Sequence, residues 1–118
     1  MPKRWPPSSD RAMRIQVFPI ALAVLLLPSP PAAAAPRTHT VVIDAMKFGP
    51  MPAGARAGDR IEWINHDLFR HTATAKDGGF SVDLPPGARA VSVLKKPGAF
   101  AVTCRYHPGM RAMLKVSA

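Results

Sequence analysis

One short segment near the end of the chain combines three side chains that bind soft and borderline metal ions. It reads Cys104-Arg-Tyr-His107-Pro-Gly-Met110, so a thiol, an imidazole and a thioether follow one another within seven residues. Thiolate and thioether ligands favour Cu(I), whereas imidazole accepts copper in both oxidation states. The segment therefore predicts a copper site. The alternative is a buried cysteine that acts only as a small apolar side chain.

A second segment offers another imidazole. His71 begins the β-rich run His71–Ala75, directly after a turn-forming stretch. In a β-sandwich, a residue at the start of one strand can meet the loop that follows a late strand. Two imidazole nitrogens and a thiolate, with a weaker axial thioether, form the blue-copper electron-transfer site. His66 competes for this role but is expected to face water, and His39 is expected to be solvated.

Two methionines compete for the axial position. Met110 follows the turn Pro108-Gly109, which would bring its side chain back toward the metal. Met113 lies in an alternating run that is typical of a strand, so Met110 is the favoured ligand. Asn65 and Asp67 are expected either to brace the loop before His71 or simply to form its turn.

The elements that must position these residues are short β-strands. Apolar and β-branched runs alternate with Gly- and Pro-containing turns, and no sustained helical stripe occurs in the mature chain. In one run, Ile61, Trp63 and Asn65 are expected to share a face. This pattern predicts an all-β sandwich or barrel, with strands at Thr40–Asp44, Arg60–Asn65, His71–Ala75, Phe80–Leu84, Ala90–Leu94, Phe100–Cys104 and Met113–Val116.

The first third of the chain is predicted to be a signal peptide. Basic residues come first, then the apolar run Ile15–Leu27, then small residues with an A-x-A site at Ala32 and Ala34. Residues 1–34 are therefore expected to be the leader and residues 35–118 the folded domain, with Met13 a possible true start. The apolar run is too short to cross a bilayer, although a retained anchor is the alternative.

Composition narrows the possible functions. The chain has 118 residues, a formal net charge of +9 and a single cysteine, which excludes an internal disulfide framework. Residues 35–118 keep twelve Lys and Arg against six Asp and Glu. The positive charges are scattered rather than clustered in one arm, which favours acidic protein partners over nucleic acid.

The mature chain resembles the cupredoxins, in particular the amicyanin and plastocyanin-like branch. The similarity runs from about Thr40 to Val116, and two residues separate His107 from each neighbouring ligand candidate, as in amicyanins. At the position of Thr72, amicyanins and plastocyanins have an asparagine that links the two ligand loops. A threonine can still form a hydrogen bond with the backbone of the neighbouring loop. The matching stretches are Met46-Lys-Phe48-Gly-Pro50, Ala57-Gly58-Asp59, Trp63-Ile-Asn65, Asp67, His71-Thr, Gly98-Ala-Phe100 and Cys104-x-x-His107-Pro-x-Met110.

This resemblance implies an eight-stranded Greek-key sandwich with one copper ion per chain under one end. The implied ligands are His71, Cys104, His107 and, axially, Met110. Electrons would pass through the ring edge of His107. An apolar patch would surround it, ringed by Arg70, Arg105 and Arg111, and its candidate members are Met51, Pro52, Leu68, Phe69, Pro85, Pro86, Pro108 and Gly109.

The function expected from this resemblance is that of a periplasmic, monomeric type 1 copper protein that carries single electrons and is not an enzyme. Its partners would be redox proteins with acidic docking surfaces, such as a dehydrogenase, a cytochrome, a reductase or an oxidase. The alternative is a periplasmic copper-binding protein for storage, delivery or resistance. A tethered subunit of a redox assembly is a further alternative.

Overall fold

The computed structural model describes residues 2–4, 15–30 and 34–118, and in these ranges the chain forms eight β-strands and no helix. Seven of the strands lie where the sequence pattern predicts them. The eighth strand has only two residues, which is too short for an alternating hydrophobic pattern to reveal it. The strands are β1 Thr38–Asp44, β2 Lys47–Phe48, β3 Arg60–Asn65, β4 His71–Ala75, β5 Phe80–Leu84, β6 Arg89–Val93, β7 Gly98–Thr103 and β8 Arg111–Val116.

The strands form two four-stranded sheets. One has the order β2-β1-β3-β6 and the other the order β5-β4-β7-β8, so the chain crosses between sheets after β3, β5 and β6. Strands β1 and β3 pair in parallel, with Thr38 opposite Arg60, and the other pairs are antiparallel. This confirms the all-β Greek-key sandwich.

The core is filled from the inward faces of both sheets. Ile61, Trp63 and Asn65 share the buried face of β3, as the alternation predicts, because successive side chains of a strand point to opposite faces. The Trp63 ring lies at the centre, with ring-centroid distances of 6.1 Å to Phe48 and 6.0 Å to Phe80. Its indole N–H donates to the buried Ser92 hydroxyl at 3.0 Å.

Strand directions bring the candidate metal ligands to one end of the sandwich. Strand β3 ends at Asn65, and β4 begins at His71 on the far side of a short loop. Strand β7 ends immediately before Cys104, and β8 resumes immediately after Met110. The two loops that carry these residues are therefore neighbours in space.

The opposite end of the sandwich holds a buried carboxylate, and here our expectation that His39 is solvated was wrong. The parallel pairing of β1 and β3 places His39 beside Asp59, and its Nε2 lies 2.9 Å from Asp59 Oδ2. Asp59 also accepts backbone N–H bonds from Arg37 and Arg56, at 2.9 and 3.0 Å. The bonds from Arg37, His39 and Arg56 hold the pKa of Asp59 well below its ordinary value.

Asp59→Asn is expected to lower stability at neutral pH and to reduce the loss of stability in acid. Because the pKa of Asp59 is lower in the folded than in the unfolded state, its contribution is complete above about pH 5 and is lost as the pH falls through the folded pKa. Urea unfolding should therefore show a difference between variant and wild type that shrinks from pH 7 toward pH 2. Asp77→Asn, at an exposed turn, is the control, and a difference that does not change with pH would contradict the prediction.

The chain divides into two units, Met1–Ala32 and Ala33–Ala118. In the first, residues 15–30 have neither helix nor strand, and their large apolar side chains are exposed. Across the described ranges, nothing forms a helix long and apolar enough to cross a membrane. The predicted cleavage after Ala34 stays a prediction. Parts of the predicted leader lie outside the described residues, namely the basic residues Arg11 and Arg14, the possible start Met13, and Ala32 of the A-x-A site.

Candidate metal centre

Three side chains converge under the loops at one end of the sandwich. His71 Nδ1 lies 3.1 Å from His107 Nδ1, and Cys104 Sγ lies 3.8 Å from the first and 3.5 Å from the second. His71 and Cys104 are buried and His107 is half-buried. The structure therefore brings together the two histidines and the cysteine that the sequence predicts.

The spacing of these atoms fits a single metal ion. With metal–nitrogen bonds of about 2.0 Å and metal–sulfur bonds of about 2.3 Å, nitrogens on one ion lie at most about 4 Å apart, and nitrogen and sulfur at most about 4.3 Å apart. All three observed separations fall within these limits. Two imidazoles and a thiolate are the donor set of trigonal copper sites.

A tight loop presents Cys104 and His107 from the same segment. The Met110 N–H donates to the His107 carbonyl at 2.9 Å, and the Cys104 N–H donates to the Met110 carbonyl at 3.3 Å. These two bonds close the loop between β7 and β8, so the spacing of Cys104 and His107 is set by backbone as well as by sequence.

The structure also separates the competing residues. Met110, the last residue of the loop that carries Cys104 and His107, is buried, whereas Met113 points outward from β8 and is 56% exposed. His66 is exposed in the turn, as expected. Met110 as the axial ligand stays a prediction.

Thr72 joins the two ligand-bearing segments. Its backbone N–H donates to Cys104 Sγ at 3.4 Å, and its hydroxyl accepts the N–H of Arg105 at 2.9 Å. The threonine therefore bonds the neighbouring loop backbone, as expected for the residue that replaces the family's asparagine. A hydrogen bond to the sulfur also stabilises the thiolate form that a metal requires.

Asn65 fixes the loop that leads to His71. Its Nδ2 donates to the carbonyls of Phe69 and Leu84 at 2.7 and 2.9 Å, and its Oδ1 accepts the N–H of Asp67 at 2.9 Å. Asn65 is fully buried, so each of these bonds replaces one that water would otherwise make. Both roles considered for Asn65 are present, because its Nδ2 braces the loop before His71 and its Oδ1 bond to the Asp67 N–H forms the turn.

Asp67 contacts the ring of His71 itself. Its Oδ2 lies 2.7 Å from His71 Nε2, on the side of the ring opposite the cluster, and accepts the Met46 N–H at 2.9 Å. Burial alone would raise the pKa of Asp67, but bonds from Met46 and His71 outweigh it and hold the pKa below its ordinary value. The sequence suggested that Asp67 braces the loop but gave no signal for the contact with Met46, which lies 21 residues away.

An exposed aromatic side chain lies against the His107 ring, and two exposed arginines are its near neighbours in sequence. Phe69 lies edge-on to the His107 ring at a centroid distance of 6.5 Å, and Leu68 beside it is 89% exposed. Arg105, which follows Cys104, and Arg111, which follows Met110, are both exposed. Arg70 forms an ion pair with Asp83, so its charge is partly neutralised.

Comparison with known proteins assigns the family. A sequence model of the cupredoxin-like domain matches residues 17–116. The chain belongs to this family. No curated protein sequence matches this cupredoxin significantly.

Solved structures share the fold of this cupredoxin. Amicyanin from Paracoccus versutus (Thiobacillus versutus) is 21% identical with a TM-score of 0.58, over 68% of this chain and 81% of amicyanin. A purple cupredoxin from Nitrosopumilus maritimus is 20% identical with a TM-score of 0.57, over 67% of this chain and 99% of that one.

A larger protein also contains this fold. The Cu-containing nitrite reductase (NirK) from Thermus scotoductus SA-01 is 26% identical with a TM-score of 0.60, over 69% of this chain. The matched region is only 22% of the nitrite reductase. The cupredoxin therefore corresponds to one part of that enzyme.

Proposed function

We propose that this cupredoxin is a small type 1 copper protein that carries single electrons between redox partners. One copper ion would be held by His71, Cys104 and His107, with Met110 as the axial ligand. The observation that carries the proposal is the convergence of one sulfur and two imidazole nitrogens within 3.8 Å of one another in a largely buried site. Copper is named for two of the similar structures, a Cu-containing nitrite reductase and a Cu(I) form of an amicyanin variant.

Copper in this site would supply one-electron chemistry by cycling between Cu(II) and Cu(I). The protein's part is to keep the ligand positions fixed, so that little rearrangement accompanies the transfer. Thr72 ties the loop of His71 to that of Cys104, and Asn65 anchors the loop before His71. The Thr72 bond to the sulfur is buried and the other two bonds are partly buried, and hydrogen bonds shielded from water resist movement more than exposed ones do. A carrier of this kind transforms no substrate and is not an enzyme.

The half-buried ring of His107 is the proposed point of electron exchange. His71, by contrast, is fully buried. A small apolar patch permits the weak, brief contacts that suit an electron carrier. Exposed Arg105 and Arg111 would steer acidic partners toward the patch.

Raising ionic strength is expected to slow electron transfer to an acidic partner by about tenfold between about 0.01 and 0.15 M salt, because the Debye length falls from about 30 to about 8 Å. Stopped-flow kinetics measures this rate. Arg105→Ala should weaken the salt dependence, whereas Lys95→Ala, at the opposite end of the sandwich, should leave it unchanged. If the rate of electron transfer by the wild type does not depend on salt concentration, electrostatic steering of the partner is refuted.

Titration of the purified protein with Cu(II), followed by visible absorption and EPR, tests the proposed function. We expect an intense thiolate-to-copper absorption band that saturates at one equivalent. Colourless binding, or reduction with thiol oxidation and copper release, would instead support storage or delivery of copper. The absence of stoichiometric binding would overturn both functions.

The proposed location is the periplasm, reached by cleavage of residues 1–34 and folding of residues 35–118 as a monomer. The basic, apolar and small-residue order of the leader supports export. Sequencing the N-terminus of protein recovered from the periplasm tests this part independently of copper binding.

A further inference from the structure

The buried ring of His71 lies between the ligand cluster and a carboxylate. Its Nδ1 faces Cys104 and His107, and its Nε2 lies 2.7 Å from Asp67 Oδ2. An ionised carboxylate can only accept hydrogen bonds, so the ring hydrogen belongs on Nε2. The lone pair of Nδ1 is then free for a metal ion.

Asp67 is held in place from two further directions. The oxygen that contacts His71 also accepts the N–H of Met46 at 2.9 Å, and the N–H of Asp67 is bonded to Asn65 Oδ1. The Asp67 side chain is only 10% exposed. The carboxylate therefore cannot turn away from His71 without also breaking its hydrogen bond with the Met46 N–H.

The turn that supplies the Met46 N–H has an uncommon backbone. Ala45 and Met46, between β1 and β2, have φ values of 49° and 62°, which non-glycine residues adopt at some cost. The Asp44 side chain accepts the Ala45 N–H at 2.9 Å, and Asp67 accepts the next one. Two carboxylates thus stabilise this turn, which aims its Met46 N–H at Asp67.

We propose that Asp67 is a positioning residue that shifts the preference of the site toward Cu(II), acting through His71, and that the turn at Ala45 and Met46 holds it there. An anion bonded to the far nitrogen makes a ligating imidazole more basic. Its charge also favours the more positive oxidation state, and burial reduces screening by salt. This inference rests on the proposed function, because it presumes that the cluster binds copper.

Asp67→Asn in the purified copper-loaded protein separates the charge from the hydrogen bond. The amide oxygen can still accept the His71 N–H, but the negative charge is removed. We expect Cu(II) affinity to fall ten- to hundredfold, with a smaller change in Cu(I) affinity. The reduction potential should rise by about 59 mV for each tenfold change in the ratio of the two affinities.

Asp83→Asn is the matched control, since it removes the same charge from a half-exposed ion pair with Arg70. We expect it to change the affinity ratio by less than about threefold, because exposed charges are screened by solvent. Competition with Cu(I) and Cu(II) chelators gives both affinities, and voltammetry gives the potential. If the ratio of Cu(II) affinity to Cu(I) affinity is equal in Asp67→Asn and Asp83→Asn, the role of Asp67 is overturned while the copper site remains intact.

A second measurement uses the wild-type protein and does not depend on the variant folding. In the diamagnetic Cu(I) form, NMR should show a proton on His71 Nε2 that exchanges slowly with solvent, while ring protons of the exposed His66 exchange rapidly. A rapidly exchanging His71 proton would overturn the inference. Failure of the wild type to bind copper would instead refute the proposed function.

Discussion

Cys104→Ala is expected to abolish the thiolate-to-copper absorption band completely and to lower copper affinity by more than the ten- to hundredfold typical of changes outside the ligand set. Cys104 supplies the only thiolate, and the ligand-to-metal band requires it. Absorption and EPR during Cu(II) titration measure the band, and chelator competition measures the affinity. Because only one small side chain is truncated, circular dichroism should show an intact β-sandwich.

Histidine variants provide the matched comparison. His71→Ala should lower copper affinity and alter the band, because the thiolate remains but one imidazole ligand is lost, whereas His66→Ala, five residues earlier and exposed, should bind copper like the wild type. This pair separates ligation from any general effect of losing an imidazole near the site. A band that persists in Cys104→Ala, or an equal loss of copper affinity in His71→Ala and His66→Ala, would contradict the proposed ligands.

Trp63→Ala is expected to destabilise the metal-free protein by about 3–5 kcal/mol, the usual cost of removing a large aromatic side chain from a core. Trp63 is fully buried between Phe48 and Phe80 and bonds to Ser92. Small domains have only about 5–15 kcal/mol of net stability, so this loss should leave the metal-free variant close to unfolding. Bound copper should restore part of the loss by mass action.

Urea unfolding followed by circular dichroism measures this effect, since the variant lacks the only tryptophan of residues 35–118. Trp63→Phe should cost less, because it keeps a ring and loses mainly the bond to Ser92, and leaving that buried hydroxyl without its partner costs about 1–3 kcal/mol. Met113→Ala, on the exposed face of β8, should stay within about 0.5 kcal/mol of the wild type. A Trp63→Ala loss no larger than that of Met113→Ala would refute the central packing role.

The sequence alone was sufficient to predict structural features that depend only on short stretches of the chain. Alternation along Arg60–Asn65 predicts which side chains enter the core, because the pleat has a period of two. The spacing of Cys104, His107 and Met110 likewise predicts a compact ligand loop, since the backbone itself limits how far these residues can separate. The strand positions and the burial of Met110 agree with these local patterns.

Contacts between distant segments were decided only by the tertiary structure. The parallel register of β1 and β3 places His39 beside Asp59, although each residue alone resembles a solvated one. The meeting of Met46 with Asp67 depends on how two loops pack at one end of the sandwich. Neither contact has a local signal, because a hydrogen bond between residues about twenty positions apart is determined by strand pairing or loop packing and not by the residues between them.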